Sequence, residues 1–278
     1  MPALRAAGTV SLGPGLPIFA AMALSFATWN VNSIRVRLPH VLDFLASERP
    51  DLLMLQEIKV ETEKFPDLEI AGAGYEAVVH GQKTYNGVAT LLRRGLAHET
   101  LERPAFGGRG DARCLLLRAE GITFANCYFP NGNPPGSENF AFKLAWTQDF
   151  TRAMAPRIAA GEALVVAGDM NVCPEPRDCG VAGAEGNDST CMPQSRAAWR
   201  ALVWLGLTDA ARALDPEGAP WTYWDYRGGD WEADRGMRID HVLLSADLAE
   251  RLAGCRVVKR MRGLASPSDH APVLCELA

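Results

Sequence analysis

Ala163-Leu164-Val165-Val166-Ala167, followed directly by Gly168-Asp169-Met170-Asn171, is an apolar run that ends abruptly on a carboxylate and an amide. A short run of this kind, bounded by glycine, predicts a strand buried in a sheet. The same event recurs along the chain. Trp29-Asn30-Val31-Asn32 closes the run Leu24 to Trp29, and Leu55-Gln56-Glu57 closes the run Leu52 to Gln56. Ile239-Asp240-His241 and Ser268-Asp269-His270 repeat the juxtaposition beside the runs Ile239 to Leu244 and Pro272 to Leu277. Further strands are predicted at Val88 to Leu92, Cys114 to Leu117 and Thr123 to Tyr128.

Apolar residues at three- and four-residue spacing predict helices over Arg37 to Ser47, Phe140 to Ala159, Arg196 to Gly206 and Asp247 to Leu252. Strands occur in both halves, some in hairpin-like order and some separated by helices. That arrangement predicts an α/β fold of mixed sheets packed together with helices outside, a layered sandwich. No interior segment of the 278 residues is polar enough to act as a linker, so residues 24–278 read as one domain. Residues 1–23 carry Gly and Pro and only Arg5 as a cation, a poor signal peptide; they read as a disordered extension or a misplaced start, with Met22 a natural beginning. No run approaches the ~20 apolar residues needed to span a bilayer.

With 48% hydrophobic and 22% charged residues the chain has ample core for a globular fold, and a net charge of −5 argues against a protein that coats nucleic acid by bulk charge. The seven cysteines are scattered without a CxxC pair or a secretory pattern, and read as small buried apolar residues in a reducing cytoplasm.

A single Asn or Asp after a strand is usually a turn former or a helix cap. Several together are different, because strands in packed sheets bring their ends to one rim. Carboxylates concentrated there repel one another unless a cation neutralises them. Oxygen donors without a Cys/His cluster favour Mg²⁺ or Mn²⁺ over Zn²⁺, and Glu57 is the first choice of ligand. Asp269-His270 offers an imidazole to contact phosphate beside a carboxylate that could fix its tautomer. Tyr128 precedes the turn-forming Phe129-Pro130-Asn131-Gly132, which would expose its hydroxyl at the same rim. His40, His80, His98 and His241 read as surface or packing residues. In Trp221 to Arg227, strand alternation sets Trp221, Tyr223 and Asp225 against Thr222, Trp224 and Tyr226, one face for the core and one for stacking on a sugar or base. Arginine and lysine cluster at Arg35/Arg37, Arg93/Arg94, Arg109/Arg113, Arg235/Arg238 and Arg256 to Arg262; a solvated face explains most such clusters, while loops beside a metal rim could track phosphates.

These motifs, in this order, resemble the endonuclease/exonuclease/phosphatase superfamily, over essentially Leu24 to Leu277. Leu55-Gln56-Glu57-Ile58-Lys59, His80-Gly81-Gln82-Lys83, Tyr128 to Gly132, Trp224-Asp225-Tyr226-Arg227 and Arg238-Ile239-Asp240 are similar to its exonuclease III and AP endonuclease branch. The resemblance implies a four-layer α/β sandwich, two mixed β-sheets face to face with helices outside. It also implies a monomeric, Mg²⁺-dependent enzyme acting on double-stranded DNA with abasic or 3′-blocked sites. Relatives that cut sphingomyelin or inositol phosphates share the general motifs, so a small-molecule or lipid phosphodiesterase is the alternative.

Position by position, the resemblance implies Glu57 as principal metal ligand, with Asn32 and Asp269 nearby, and Asp169 with Asn171 as the pair that activates water or takes part in a second metal position. It implies Tyr128 and His270 as phosphate-contacting groups, and Asp240, rather than Asp269, as the carboxylate that holds His270. Phosphate or DNA contacts are expected from Asn30, Lys59, Arg113, Asn131 and Arg238. An apolar abasic-sugar pocket is expected from Tyr223, Met237 and Ile239 with Trp224 as wall. Two departures stand out: Asn32 replaces an Asp of some relatives, and Asn139 to Lys143 only loosely matches the family's basic loop.

Overall fold

A computed structural model describes residues 23–278, so nearly all of the expected N-terminal extension lies outside the described residues. Two six-stranded sheets make up its centre. One runs in the order Leu252–Val257 (β11), Val273–Leu277 (β12), Leu24–Asn30 (β1), Leu52–Gln56 (β2), Val88–Arg93 (β4), Tyr75–His80 (β3). The other runs His98–Glu102 (β5), Cys114–Ala119 (β6), Ile122–Tyr128 (β7), Leu164–Asp169 (β8), Asp240–Leu244 (β10), Thr208–Asp209 (β9). Each sheet has one parallel pair, β1 with β2 and β7 with β8, and antiparallel neighbours elsewhere. A parallel pair needs a crossover. The helices Ile34–Glu48 (α1) and Glu138–Ala159 (α3) supply the two crossovers.

Side-chain alternation along the strands divides the interior into three apolar layers. Phe26, Leu52, Met54, Phe124, Val165 and Val242 point between the sheets, where the Phe26 and Phe124 rings meet edge-on at 5.5 Å. Trp29, Leu53 and Leu55 point the other way and are covered by Val41, Phe44 and Leu45 of α1 and by Ile70 of Asp67–Gly72 (α2). Leu116, Cys127 and Val166 are covered by Trp146 and Phe150 of α3 and by Trp199 and Leu202 of Pro193–Val203 (α4). The result is a four-layer α/β sandwich, helix, sheet, sheet, helix. Short helices Ala210–Leu214 (α5) and Ala246–Glu250 (α6) close its ends, contributing Ala210 and Leu248 to the layer between the sheets. Among the described residues no helix is long and apolar enough to cross a membrane.

The differences from the expected elements have local causes. Strands β5 and β11 are partly exposed edge strands, and His98-Glu99-Thr100-Leu101-Glu102 contains no apolar run to announce itself. The helix expected to reach Leu252 stops at Glu250, because Leu252 is already paired with Leu277 across β11 and β12. The helix expected at Arg196 begins three residues earlier on Pro193, which suits the first helical turn because it has no N–H to satisfy.

Candidate active site at the sheet rim

The same alternation that builds the central apolar layer also fills its rim with polar groups. Phe26, Thr28 and Asn30 share a face of β1, as do Leu52, Met54 and Gln56 of β2, Phe124, Asn126 and Tyr128 of β7, Val165, Ala167 and Asp169 of β8, and Asp240, Val242 and Leu244 of β10. Asp169 stands opposite Tyr128 on one side and Asp240 on the other. Gln56 Nε2 donates to Asn126 Oδ1 at 2.8 Å and Thr28 Oγ1 at 2.9 Å, so a buried amide beneath the rim ties the two sheets together. Gly168 is required where β8 meets β7: its φ is +149° and a Cβ there would lie 1.8 Å from the Cys127 carbonyl oxygen.

Asp169 is 2% exposed and held at both oxygens. Oδ1 accepts from the Asn171 backbone N–H at 2.9 Å, and Oδ2 from Asn30 Nδ2 at 2.9 Å. The same Asn30 amide donates to Glu57 Oε1 at 2.8 Å, joining the two carboxylates through one side chain. Burial lifts the Asp169 carboxyl to about 7, opposed by the His270 charge, whose Nε2 is 3.8 Å away, and reinforced by Asp240. His270 Nδ1 is 2.8 Å from Asp240 Oδ2. Burial disfavours the imidazolium, but Asp240 and then Asp169 outweigh it and push His270 up to about 10. The backbone carbonyl of His270 accepts from Trp29 Nε1 at 3.0 Å, and Ser268 Oγ donates to the Asn30 carbonyl at 2.7 Å, so β1 positions this segment. Burial, together with the Glu57 and Asp169 carboxylates, pushes the Tyr128 hydroxyl well above its usual range and keeps it a donor.

A second group lies beside the first. Glu57 follows β2 with φ +50°, which turns its side chain back over the rim. Lys59 Nζ sits 2.7 Å from Glu57 Oε2 and 2.5 Å from Asn32 Oδ1, and Asn32 Nδ2 donates to Asp269 Oδ1 at 3.1 Å. Burial raises the Glu57 carboxyl, but Lys59 and Asn30 more than reverse this and hold it below its usual range. The ammonium thus occupies the point where the oxygens of Glu57 and Asn32 converge. Asp240 Oδ1 is buried with no hydrogen-bond partner among the described residues. A place for a cation among the oxygen donors Glu57 and Asn32 fits a hard divalent ion rather than a thiophilic one.

The turn after Tyr128 is fixed by packing. Phe129 lies 4.6 Å from the Trp146 ring, which stacks on Phe150 at 5.5 Å; such pairs add about 0.5–1.5 kcal/mol each beyond their burial. Gly132, at φ +84°, passes so close to Lys143 that a Cβ would lie 2.6 Å from its Cδ. Asn131 Nδ2 donates to Asn171 Oδ1 at 3.0 Å, and Asn171 Nδ2 to the Phe129 carbonyl at 2.9 Å. Lys143, which the sequence marks only as the end of the loosely matching loop Asn139 to Lys143, is 2% exposed and donates to the carbonyls of Asn131, Asn171 and Ser189 at 3.0, 2.6 and 3.3 Å. Burial lowers its pKa to about 8. The Asn131 and Ser189 carbonyls keep the Ser189 and Ser195 hydroxyls as donors, so replacing Lys143 by Met, similar in bulk, should cost about 1–3 kcal/mol chiefly by leaving the Asn171 carbonyl unpaired. Urea unfolding checks the loss, and an unchanged midpoint for Lys143→Met would show that the ammonium contributes nothing to the turn.

A cleft of about 510 Å³ opens beside Asp169 and His270, with Tyr223, Met237, Ile239 and Val181 on its wall. The Tyr223 ring stands edge-on to His270 at 5.0 Å. Tyr223, Met237 and Ile239 therefore lie together as expected. Trp224 does not join them: it is 1% exposed, faces away from the cleft, and packs against Trp231 at 5.2 Å and under Lys259. Arg238 is also displaced from its expected phosphate contact. It is buried and spent on Asp178 at 2.7 Å and Asp209 at 2.8 Å, with His241 Nδ1 3.2 Å away. His241 is likewise a packing residue, its Nε2 on the Val172 carbonyl at 2.9 Å. Arg113 stacks over the Tyr128 ring at 4.7 Å and pairs with Asp111 at 2.9 Å, which places it behind Tyr128.

A profile of the Endonuclease/Exonuclease/phosphatase family matches residues 27–270. The chain is 32% identical to Exodeoxyribonuclease III of Haemophilus influenzae, across 91% of this chain and 99% of that one. Its fold matches an AP endonuclease from Archaeoglobus fulgidus with TM-score 0.87 and 33% identity, covering 91% of this chain and 99% of the other. It matches a 3′ phosphatase from Neisseria, solved with a product DNA hairpin, with TM-score 0.86 and 36% identity over 92% and 99% of the two chains. With the carboxylate-lined rim and the sandwich that carries it, these likenesses identify the chain as a member of the endonuclease/exonuclease/phosphatase family.

Proposed function

We propose that residues 24–278 act as one catalytic domain, a Mg²⁺-dependent DNA repair nuclease that hydrolyses the phosphodiester 5′ to an abasic site in duplex DNA, with 3′-5′ exonuclease and 3′-end-cleaning activity. The observation that carries this reading is the placement of Asp169, buried and held at both oxygens, at the edge of the cleft walled by Tyr223, Met237 and Ile239. Glu57, Asn32 and Asp269 would hold the ion. When bound, Mg²⁺ supplies positive charge at the phosphate and at the departing 3′-oxygen.

The chain's own groups do the rest. Asp169, raised to about 7 by burial, is suited to accept a proton from water at neutral pH, and Asn171 and Asn30 fix the direction in which it does so. The water oxygen bonds to phosphorus as the bond to the 3′-oxygen breaks, one water proton passes to Asp169 and the departing 3′-oxygen takes a proton from solvent, leaving a 3′-hydroxyl and a 5′-deoxyribose phosphate. The His270 imidazolium, kept charged by Asp240, and the Tyr128 hydroxyl donate to the non-bridging oxygens. The apolar stretch of the cleft wall, Tyr223, Met237 and Ile239, favours an extruded sugar over a hydrogen-bonded base, giving damage selectivity without base-edge readout.

Exposed Arg35, Lys64 and Lys83 line a shallow depression that includes Lys59 and Glu61; Glu61 pairs with Lys64, which leaves Arg35 and Lys83 as the cations of a local basic track on an acidic protein. Lys83→Ala should weaken duplex binding alike for all sequences and reduce the slope of log K against log[salt] by about 0.9; an unchanged slope would remove Lys83 from the track. Competition separates the nuclease from a small-molecule or lipid phosphodiesterase. Abasic duplex should inhibit hydrolysis of bis-p-nitrophenyl phosphate far better than intact duplex, whereas equal inhibition would point to the alternative.

A further inference from the structure

Three of the cysteines meet in the long segment between β8 and α4. The Sγ atoms of Cys173, Cys179 and Cys191 all lie within 4.8 Å of one another. Cys173 and Cys191 are buried and Cys179 is half-buried. Their backbones are fixed independently: Cys173 N–H donates to the Thr190 carbonyl at 2.9 Å, Cys191 N–H to Asp188 at 3.0 Å and Cys179 N–H to Pro176 at 3.1 Å, and Cys179 also bridges Met237. A fourth sulfur is near, since Thr190 Oγ1 is 3.5 Å from Cys191 Sγ and 3.6 Å from Met237 Sδ.

Thiolates bound at ~2.3 Å to one tetrahedral ion are about 3.8 Å apart, so these sulfurs need little movement to share one. A disulfide would join two of them and leave the third, whereas all three approach one another here. No carboxylate oxygen belongs to the group, which disfavours Mg²⁺ and Ca²⁺ and favours a thiophilic ion. We propose that Cys173, Cys179 and Cys191 form a thiolate site for a divalent ion of the zinc class, separate from the oxygen site at the rim. Binding releases the thiol protons to solvent. Val181, Ala184, Thr190 and Met237 line the catalytic cleft and lie beside or between these cysteines, so a bound ion would brace that wall.

The reduced full-length chain, saturated with Mg²⁺ to fill the rim, is titrated with Cd²⁺. Thiolate-to-metal charge-transfer absorbance is expected to rise to one equivalent, to vanish in the Cys173→Ala/Cys179→Ala/Cys191→Ala variant, and to persist in Cys255→Ser. Absence of the band in the unaltered chain, or its survival in the triple variant, would overturn the site. Should the triple variant not fold, alkylation of the unaltered chain decides. Zn²⁺ should slow labelling of Cys179 at least tenfold and leave Cys255, the other half-buried cysteine, unchanged. Equal labelling of Cys179 with and without Zn²⁺, or its loss to a disulfide with a neighbour, is the contrary result.

Discussion

Asp169→Asn is expected to lower kcat by about 10²–10⁴-fold while leaving affinity for abasic duplex nearly unchanged. The substitution preserves size but removes the carboxylate proposed as the base. It also cannot satisfy both neighbours, because the carboxylate accepts from the Asn171 N–H on one oxygen and from Asn30 on the other, and an amide has only one accepting atom. One donor is left facing an NH₂ group, so the side chain is both unreactive and misdirected. The phosphate contacts proposed for Tyr128 and His270 do not depend on the charge of Asp169, which is why KM and the binding constant should change little. Single-turnover incision and binding titration in the same buffer separate the two effects, and an active Asp169→Asn chain would strip Asp169 of its role.

Asp240→Asn should be nearly as damaging, through His270. The imidazolium is buried, and burial alone would push its pKa below the ordinary value; Asp240 is the foremost group holding it near 10. With that carboxylate gone, the ring's pKa should fall from about 10 toward the ordinary value of 6.5, held up only by Asp169 and Asp269, and its charge at neutral pH should be less secure. The linkage has a definite sign. A folded-state pKa above the unfolded one gives stability that is complete below about 6.5 and is lost as pH rises through about 10. The stability gap between the unaltered and Asp240→Asn chains should therefore be widest in mild acid and close toward pH 10. NMR of the His270 ring across that range, with melting curves alongside, reads both effects. A ring that titrates near 6.5 in the unaltered chain would contradict the pairing.

Much of this rim was visible in the sequence because strand alternation is a strict rule. Once Val165 and Ala167 are placed between the sheets, Asp169 must point there too, and the same parity places Asn30, Tyr128 and Asp240. Glu57 and His270 lie just outside their strands, where parity no longer holds, and the resemblance to a known family was needed to pair His270 with Asp240 instead of its neighbour Asp269. Arg238 escaped because its partners, Asp178 and Asp209, come from remote segments and no local feature marks a cationic side chain for burial. Trp224 lies on the face opposite Tyr223, as alternation alone indicates, and was misplaced when sequence nearness was taken for contact with the pocket. The three cysteines left no spacing signal, since Cys173, Cys179 and Cys191 converge only when the loop folds back on itself. Lys143 was hidden for the same reason as Arg238: its acceptors are backbone carbonyls, which no side-chain pattern announces.

The most direct measurement is incision of a duplex containing one tetrahydrofuran residue, compared with the same duplex intact, in Mg²⁺ and in EDTA. Cleavage on the 5′ side of the tetrahydrofuran, giving a 3′-hydroxyl, abolished by EDTA and restored by excess Mg²⁺, is the expected result. Equal cutting in EDTA, or no preference for the tetrahydrofuran duplex, would contradict it.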